Sequence, residues 1–524
     1  MTDMGMTDFS IVDDATPFFA PVSSDLIDGL LGQYNSMRQR ITHVAGMIDG
    51  ELSAAMEYFL DGNGDEHNRF KPSVQKLFNP AGAIAALNAA YWSKTLAMTD
   101  VLSVMPQKRR DEWNKTISEM TAPDFTDEAV RPTIGDLLAS RQKFFAERVE
   151  GIFRGLSGEH VTNSPAGFSK RMIIAYVTSE WSTNTSRAGL INDLRAVIAK
   201  FMGRDEPKWN ATSGIVSMAR QRHGEWLILD GGALKLRCYL KGTAHLEVHP
   251  EMAWRLNQVL HSLYPQAIPA QFRKKPVKQE KHYQLMNRPL PFAVIEVLSE
   301  LRASRHNPLE FQFSYQHCGS SPAKTEAIRV LQYLGGVINK KGNVEFDFKL
   351  DGVLNEMIAS GCLPDRATHQ FFATPAEMAK DAATELDISE GDFCLEPSAG
   401  QGNLAMHLPK ERTRCIEISK LHALILTEKG FDTLQIDFLE YARTTTERFD
   451  KVLMNPPFSD GRALAHLEAA ASLVKPQGRM VAILPLSMNG KEVLPGWDLE
   501  WLRTYNNEFA GTGVSVVMLR ACRV

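Results

Sequence analysis

Phe449-Asp450-Lys451-Val452-Leu453-Met454-Asn455-Pro456-Pro457-Phe458 is the stretch that decides how this chain reads. Val452-Leu453-Met454 is a short apolar run of the kind that forms a buried strand. It runs into a stiff polar turn in which two successive prolines fix φ and remove two N–H donors. The carbonyls of Asn455 and Pro456 are then held with no ladder to join, and the Asn455 side-chain oxygen adds another acceptor. Two acceptors converging on one amine, with the Phe458 ring beside them, suit a planar ring carrying an exocyclic amino group, such as adenine. The bland alternative is a strand followed by a Pro-Pro loop, and the sequence upstream weighs against it.

Upstream, Asp392-Phe393-Cys394-Leu395-Glu396 reads as a buried parallel strand. It leads into Pro397-Ser398-Ala399-Gly400-Gln401-Gly402-Asn403 and a helix from Leu404. Gly400 and Gly402 let the backbone pass close under a ligand at the carboxyl end of the strand. With Ala405 in the last place the pattern is the loose G-x-G-x-x-A form, which suits several adenosine cofactors. The next strand, Arg414-Cys415-Ile416-Glu417-Ile418, carries an acid 21 positions after Glu396, where a carboxylate reaches ribose hydroxyls. A third strand, Thr433-Leu434-Gln435-Ile436, precedes Asp437 and Phe438, an acceptor for an amine and a ring to lie against it. Arg479–Pro485 is a further strand and 511–519 a late hairpin. Phe372-Ala373-Thr374-Pro375 opens a helix, with Thr374 as its cap and Pro375 at its first position. Strands and helices alternating at this spacing predict a parallel, doubly wound α/β sheet.

The chain has 524 residues, too many for one hydrophobic core. Three domains are expected: 1–265, an α+β domain; 266–360, a basic linker and a winged-helix-like connector; and 361–524, the sheet just described. Hydrophobic content of 44% and charged content of 23% are ordinary for a globular protein. The net charge of -4 hides an asymmetry: residues 270–350 carry about six more Lys and Arg than Asp and Glu, and residues 360–524 about five fewer. Such asymmetry marks a polyanion-binding segment. The six cysteines form no C-x-x-C pair, so disulfides and a zinc knuckle are not expected. No signal-like leader or apolar run near membrane-spanning length occurs, which predicts a soluble protein of the cytoplasm.

In the front half, residues 1–24 read as a loose leader, and helices are expected at 25–60, 81–106, 133–156 (capped by Thr133) and 187–202. Asp61-Gly62-Asn63-Gly64-Asp65 resembles a calcium loop but lacks its later glycine and glutamate, and reads as a turn. A strand is expected at 171–177. Trp226–Leu229 and Ala233–Leu240 flank a hairpin signal at Asp230-Gly231-Gly232. His245, Glu247 and His249 share one face of the next strand; that suits a metal, or simply a polar outer face, and no metal is expected. Arg273, Lys274 and Lys275 head the basic linker, which also holds Lys278 and Lys281. Residues 291–301 and 323–334 read as helices around a turn, followed by a hairpin over 337–348, with Lys324 and Arg329 exposed. This winged-helix-like unit suits duplex contact, or serves as a connector.

Taken in this order, residues 370–520 resemble the S-adenosylmethionine-dependent methyltransferases that modify the N6 amine of adenine in DNA, in their γ arrangement. The resemblance implies a Rossmann-like sheet and S-adenosylmethionine as cofactor. It implies that Phe372, Thr374, Pro375, Glu396, Pro397, Ser398, Ala399, Gly400 and Gly402 hold that cofactor. Glu417, followed by Ile418, would take the ribose, and Asp437 and Phe438 the cofactor's adenine. Asn455, Pro456, Pro457 and Phe458 would be catalytic, and Phe458 and Phe509 would stack on the target base. Through Pro123-Asp124-Phe125-Thr126, Phe153-Arg154-Gly155-Leu156-Ser157 and the Gly-Gly…His-Leu-Glu-Val segment, the front half is similar to a domain of unassigned function that precedes such methylases in phage and plasmid proteins. Double-stranded DNA is the implied partner, and an orphan enzyme protecting DNA from host restriction the implied role. The same four-residue motif also serves methyltransferases of RNA amines and of a protein amide, and a non-catalytic anti-restriction protein stays open. In the γ arrangement a target-recognition domain follows the catalytic half; here sequence reading is expected from upstream, from residues 486–505, or from a partner.

Overall fold

A computed structural model describes residues 24–48, 52–62, 73–99, 101–179, 182–276, 289–314, 319, 321–363, 372–458, 461–506, 509 and 513–523. The chain divides into two units, Met1–Trp226 with Ala233–Tyr283, and Leu227–Gly232 with Gln284–Val524. The leader, Asn63–Asp65 of the calcium-like stretch, and Lys278 and Lys281 lie outside the described residues.

In the first unit, helices Ser24–Ile48 and Pro80–Ala97 pack around Tyr34, Trp92 and Phe125, all fully buried. The Tyr34 hydroxyl donates to Asn88 Oδ1 at 2.6 Å, and Asn88 Nδ2 donates to Asp124 at 2.8 Å, so the buried polar groups are satisfied. The helix expected over 133–156 is two helices, Asp127–Ala139 and Arg141–Gly155. Thr133 lies inside the first, beside Pro132, and Thr126 occupies the capping position. Strands β1 (Arg171–Ile174), β3 (Leu234–Cys238) and β4 (Ala244–Val248) form a sheet in which β4 pairs antiparallel with both others; β2 (Leu227–Leu229) precedes the Asp230–Gly232 turn. The shared face of His245, Glu247 and His249 has structural employment. Glu247 accepts from Arg171 Nε at 2.6 Å, and His249 Nδ1 accepts from Glu251 N to cap helix Pro250–Leu263. The start of the basic linker lies along that helix. The Arg273 carbonyl accepts from Trp254 Nε1 and Gln258 Nε2, both at 2.9 Å, and Lys275 lies over the Trp254 ring.

The second unit begins with helices Phe292–Ser299, Pro322–Tyr333 and Asp351–Ser360 around a small sheet. Its strands, β5 (Arg302–Ala303), β6 (Glu310–Gln312), β7 (Val337–Ile338) and β8 (Val344–Glu345), lie in the order β5-β6-β8-β7. The interval read as a turn thus contains a strand pair, while the β7–β8 hairpin is where the alternation placed it. The large sheet follows: β9 (Cys394–Pro397), β10 (Thr413–Glu417), β11 (Asp432–Gln435), β12 (Phe449–Met454), β13 (Val474–Pro485), β14 (Trp497–Asn506) and β15 (Ser515–Arg523). Their order is β11-β10-β9-β12-β13-β15-β14, parallel except for β15, which runs antiparallel to both neighbours. The late hairpin is therefore β14–β15, and residues 497–505, expected in a reading loop, form a strand.

Side chains alternate across this sheet. Val452 and Met454 face a core shared with helix Arg462–Leu473, whereas Leu453 faces the core of helix Ala376–Leu386. Both faces are covered, as a parallel sheet requires, and the fold is a Rossmann-like α/β sheet. Among the described residues no helix is long and apolar enough to cross a membrane. Phe449 is fully buried, and its ring stacks on Phe393 at 5.0 Å between centroids. Phe449→Ala should cost about 3–5 kcal/mol, seen in urea titration as a lower midpoint for the second unit.

Candidate active site

β9 lies between β10 and β12, so the chain order runs one way from β9 and the opposite way from β12. Ligands of open α/β sheets bind in the crevice outside the carboxyl ends of strands at such a switch point. The pairing Val452↔Leu395 continues to bring Asn455 level with Ser398, and Ile416↔Pro397 brings Glu417 level with the same residue. A cleft of about 850 Å³ opens there.

The floor of the cleft is the turn after β9. Ser398 and Gly400 hold φ of 62° and 56°, which aims successive backbone amides at the β10 edge. The Gly400 amide donates to Glu417 Oε2 and the Ser419 amide to Oε1, both at 2.7 Å. Burial raises the pKa of the Glu417 carboxyl, and these two amides oppose the rise. Glu396 is more extreme: 2% exposed, pushed well above the usual carboxylate range by burial, with the Ala405 amide pulling down and Glu417 adding to the rise. Its Oε2 has no hydrogen-bond partner, so a polar group entering the cleft would meet an unsatisfied carboxyl oxygen. Gly402 serves packing: at φ 84°, a Cβ there would meet Leu426 Cδ2 at 2.9 Å. The loop is braced from the small sheet's side, since Gln401 Nε2 donates to the Tyr333 carbonyl at 3.0 Å and Lys429 Nζ to the Gln401 carbonyl at 3.2 Å.

Thr374 does not cap the helix that follows. That helix begins at Ala376, with Pro375 at the capping position and no side-chain cap. Thr374 Oγ1 instead accepts from Asn455 Nδ2 at 3.0 Å, and its carbonyl accepts from Asn403 Nδ2 at 3.3 Å. The side-chain amide nitrogen of Asn455 is thus engaged, which leaves Oδ1 as its side-chain acceptor.

Of the residues expected to hold a cofactor, Phe372, Thr374, Glu396, Ser398, Ala399, Gly400, Glu417, Ile418, Asp437 and Phe438 line the cleft, together with Asn455, Pro456 and Pro457. Pro375, Pro397 and Gly402 shape the backbone behind it. Asp437 Oδ1 also accepts from Glu440 N, capping helix Phe438–Thr444. Phe458 lies just outside the lining, its ring nearly parallel to Phe372 at 6.3 Å. Phe509 is 3% exposed and meets Phe372 edge-on, behind the cleft wall; the adjoining Gly511 and Thr512 lie outside the described residues. Away from the cleft, Lys324 lies over the Phe313 ring at 5.2 Å and Arg329 pairs with Glu326 at 3.1 Å.

The sequence reading passed over His466. Its spacing with Ala463, Leu467 and Ala470 on helix Arg462–Leu473 gave it the look of a core position. It is 3% exposed and lines the cleft. Its Nδ1 is 3.2 Å from Ser398 Oγ, its ring tilts against Phe438 at 5.3 Å, and Nε2 has no partner. Burial drives its pKa down to about 4, against the pull of Asp437, so the imidazole is neutral near pH 7.

Residues 84–266 match a family described as a domain of unknown function (DUF4942). No curated protein matches the chain. Similar solved structures include TrmN from Thermus thermophilus, 20% identical, with 29% of this chain on 51% of that one and a TM-score of 0.24. This chain thus spans about half of TrmN. The 23S rRNA methyltransferase ErmE is 16% identical, with 29% on 70% and a TM-score of 0.25. Precorrin-6y C5,15-methyltransferase from Geobacter metallireducens is 16% identical, with 30% on 96% and a TM-score of 0.24. At such identities and scores the likeness says nothing of what this chain acts on.

A histidine whose folded pKa lies below its unfolded value binds fewer protons in the native state, so its contribution to stability falls as pH drops from about 6.5 towards 4. The raised carboxyls of Glu396 and Glu417 act in the opposite sense, so the wild-type profile is a sum. Subtracting the urea-stability profile of His466→Asn from the wild type's should leave a rise with pH between 4 and 6.5.

Proposed function

We propose that the second unit is an S-adenosylmethionine-dependent methyltransferase acting on the N6 amine of adenine in DNA. The observation that carries this reading is the meeting, at the carboxyl edges of adjacent strands, of the Asn455–Pro457 acceptor turn with the cradle of Gly400, Glu396 and Glu417. The residues present fit the cofactor. Glu417 would take the ribose hydroxyls, the unpartnered Glu396 Oε2 a donor, and Asp437 with Phe438 the adenine. Bound there, S-adenosylmethionine supplies a methyl group on a positive sulfur, a leaving group that needs no acid.

What remains for the chain is the amine, whose lone pair is delocalised into its ring. Asn455 Oδ1 and the Pro456 carbonyl accept hydrogen bonds from it, localise that pair and stabilise the positive charge that grows on nitrogen, whose surplus proton then passes to water. Proline-fixed backbone and the Thr374 clamp on Asn455 hold these acceptors still, so little reorganisation is spent at the moment of transfer. An adenine inside a duplex is out of reach, so the base is extruded at a cost of a few kcal/mol, and Phe458 offers it a stacking face. The basic excess of residues 270–350 suits a polyanion such as DNA, and an orphan phage or plasmid enzyme that masks restriction sites is the setting the family resemblance implies.

Asn455→Ala should bind S-adenosylmethionine within about twofold of wild type in calorimetry and lose at least a hundredfold in transfer to duplex DNA, about 2.7 kcal/mol of barrier. Survival of activity within tenfold would remove Asn455 from its role. Thr374→Val, which leaves the Asn455 amide without its acceptor, should lower kcat more than it raises KM. Labelled methyl transfer offered to duplex DNA, RNA and a glutamine peptide decides the substrate; N6-methyladenine in DNA alone is expected.

A further inference from the structure

No residue of the amino-terminal unit enters the chemistry proposed for the cleft, and the unit's charge is unevenly distributed. Residues 1–150 carry 14 Lys and Arg against 22 Asp and Glu, whereas residues 151–283 carry 19 against 10. Within that basic half, the sheet has a buried side made by Met172, Leu234, Leu236, Cys238, Leu246 and Val248. The alternate residues form the other side. The register sets Arg171 and Lys235 on either flank of Glu247, and Arg237 across from His245, with Tyr239 two places further along the chain.

Arg237 is the telling residue of this side. Its guanidinium lies 4.4 Å from the Trp226 ring centroid and 5.1 Å from that of Tyr239, held between two aromatic rings. Its Nε is buried without a hydrogen-bond partner, and among the described residues no carboxylate pairs with it. Tyr239 in turn meets the His245 ring edge-on at 4.6 Å. Burial first, then the cations Arg237, His160 and Arg171, hold His245 below its usual pKa, a sign that the local field is positive. Glu247, committed to Arg171, is the one acid on this side of β1, β3 and β4. An arginine fixed by aromatic faces keeps its donor fork at low entropic cost, and a fixed fork matches phosphate oxygens. Where β1 ends, Tyr176 is 63% exposed at φ 60°, pinned because Val177 and Thr178 both donate to the Gly242 carbonyl.

We propose that this side of the amino-terminal sheet, centred on Arg237 with Lys235 and Arg171, is a docking surface for the phosphodiester backbone of double-stranded DNA. It contacts phosphates and holds the duplex while the cleft of the second unit works, and it lets the family region of unassigned role contribute affinity and register. Charge complementarity selects the occupant: a surface with three cations and one committed acid fits a polyanion, and fits an acidic peptide only through its charge.

The test is fluorescence anisotropy of the full chain with a labelled 30-base-pair duplex, without methyl donor, across a salt series. Arg237→Ala/Lys235→Ala/Arg171→Ala should weaken binding at least tenfold at 0.1 M salt. It should also flatten the slope of log affinity against log salt by about 1 to 2, near 0.9 for each phosphate no longer neutralised, since Arg171 is already paired with Glu247. Arg237→Lys, which keeps the charge but not the planar fork between the rings, should retain most of the slope while losing some affinity, and controls for misfolding. Affinity within twofold of wild type, weaker binding with an unchanged salt slope, or tighter binding to RNA or to polyglutamate than to the duplex would each overturn the proposal. Asn455→Ala is expected to bind DNA as wild type does. An absence of any methyl transfer by wild type would strike the cleft's assigned chemistry while leaving this surface to stand or fall on its own binding data.

Discussion

The parallel pairing of β9 with β12 governs the second unit. It is short, made at Lys451↔Cys394 and Val452↔Leu395, but it joins two strands whose next partners lie on opposite sides. The crossovers that follow must leave in opposite directions, and a gap opens above the join. Everything chemical in the unit is hung on the rim of that gap: a glycine turn from one strand, a proline turn from its neighbour, a carboxylate from the strand beyond. Shifting the pairing by one residue would turn Leu453 and Val452 to the wrong faces and move Asn455 away from Thr374.

The cleft is built to be short of hydrogen-bond partners. Two carboxyls and an imidazole lie under it with little solvent, and one oxygen of Glu396 and one nitrogen of His466 have no partner within the protein. Buried polar atoms in that condition cost stability. Glu417 illustrates the compensation: both of its oxygens accept backbone amides.

The sequence spoke most clearly where backbone chemistry is restrictive. Proline pairs, glycines at positive φ and apolar runs of strand length admit few conformations, so the large sheet, its order of motifs and the cleft lining from Glu396 to Pro457 could be read in advance. It spoke less clearly where one residue type has two uses. Thr374 has the look of a helix cap, and only the tertiary fold shows its hydroxyl turned to Asn455. Phe509 follows a stacking pattern but is packed behind Phe372. His466 follows a core pattern and lies in the cleft. Helix breaks at Ser140 and the β5–β6 strand pair were hidden for a related reason: short elements are set by packing rather than by local propensity.

The brace between Gln401 and the Tyr333 carbonyl ties the glycine turn to the end of helix Pro322–Tyr333. Because linkage is reciprocal, if a ligand in the turn steadied that helix through this bond, anything seated on the helix would alter the affinity of the turn by the same factor.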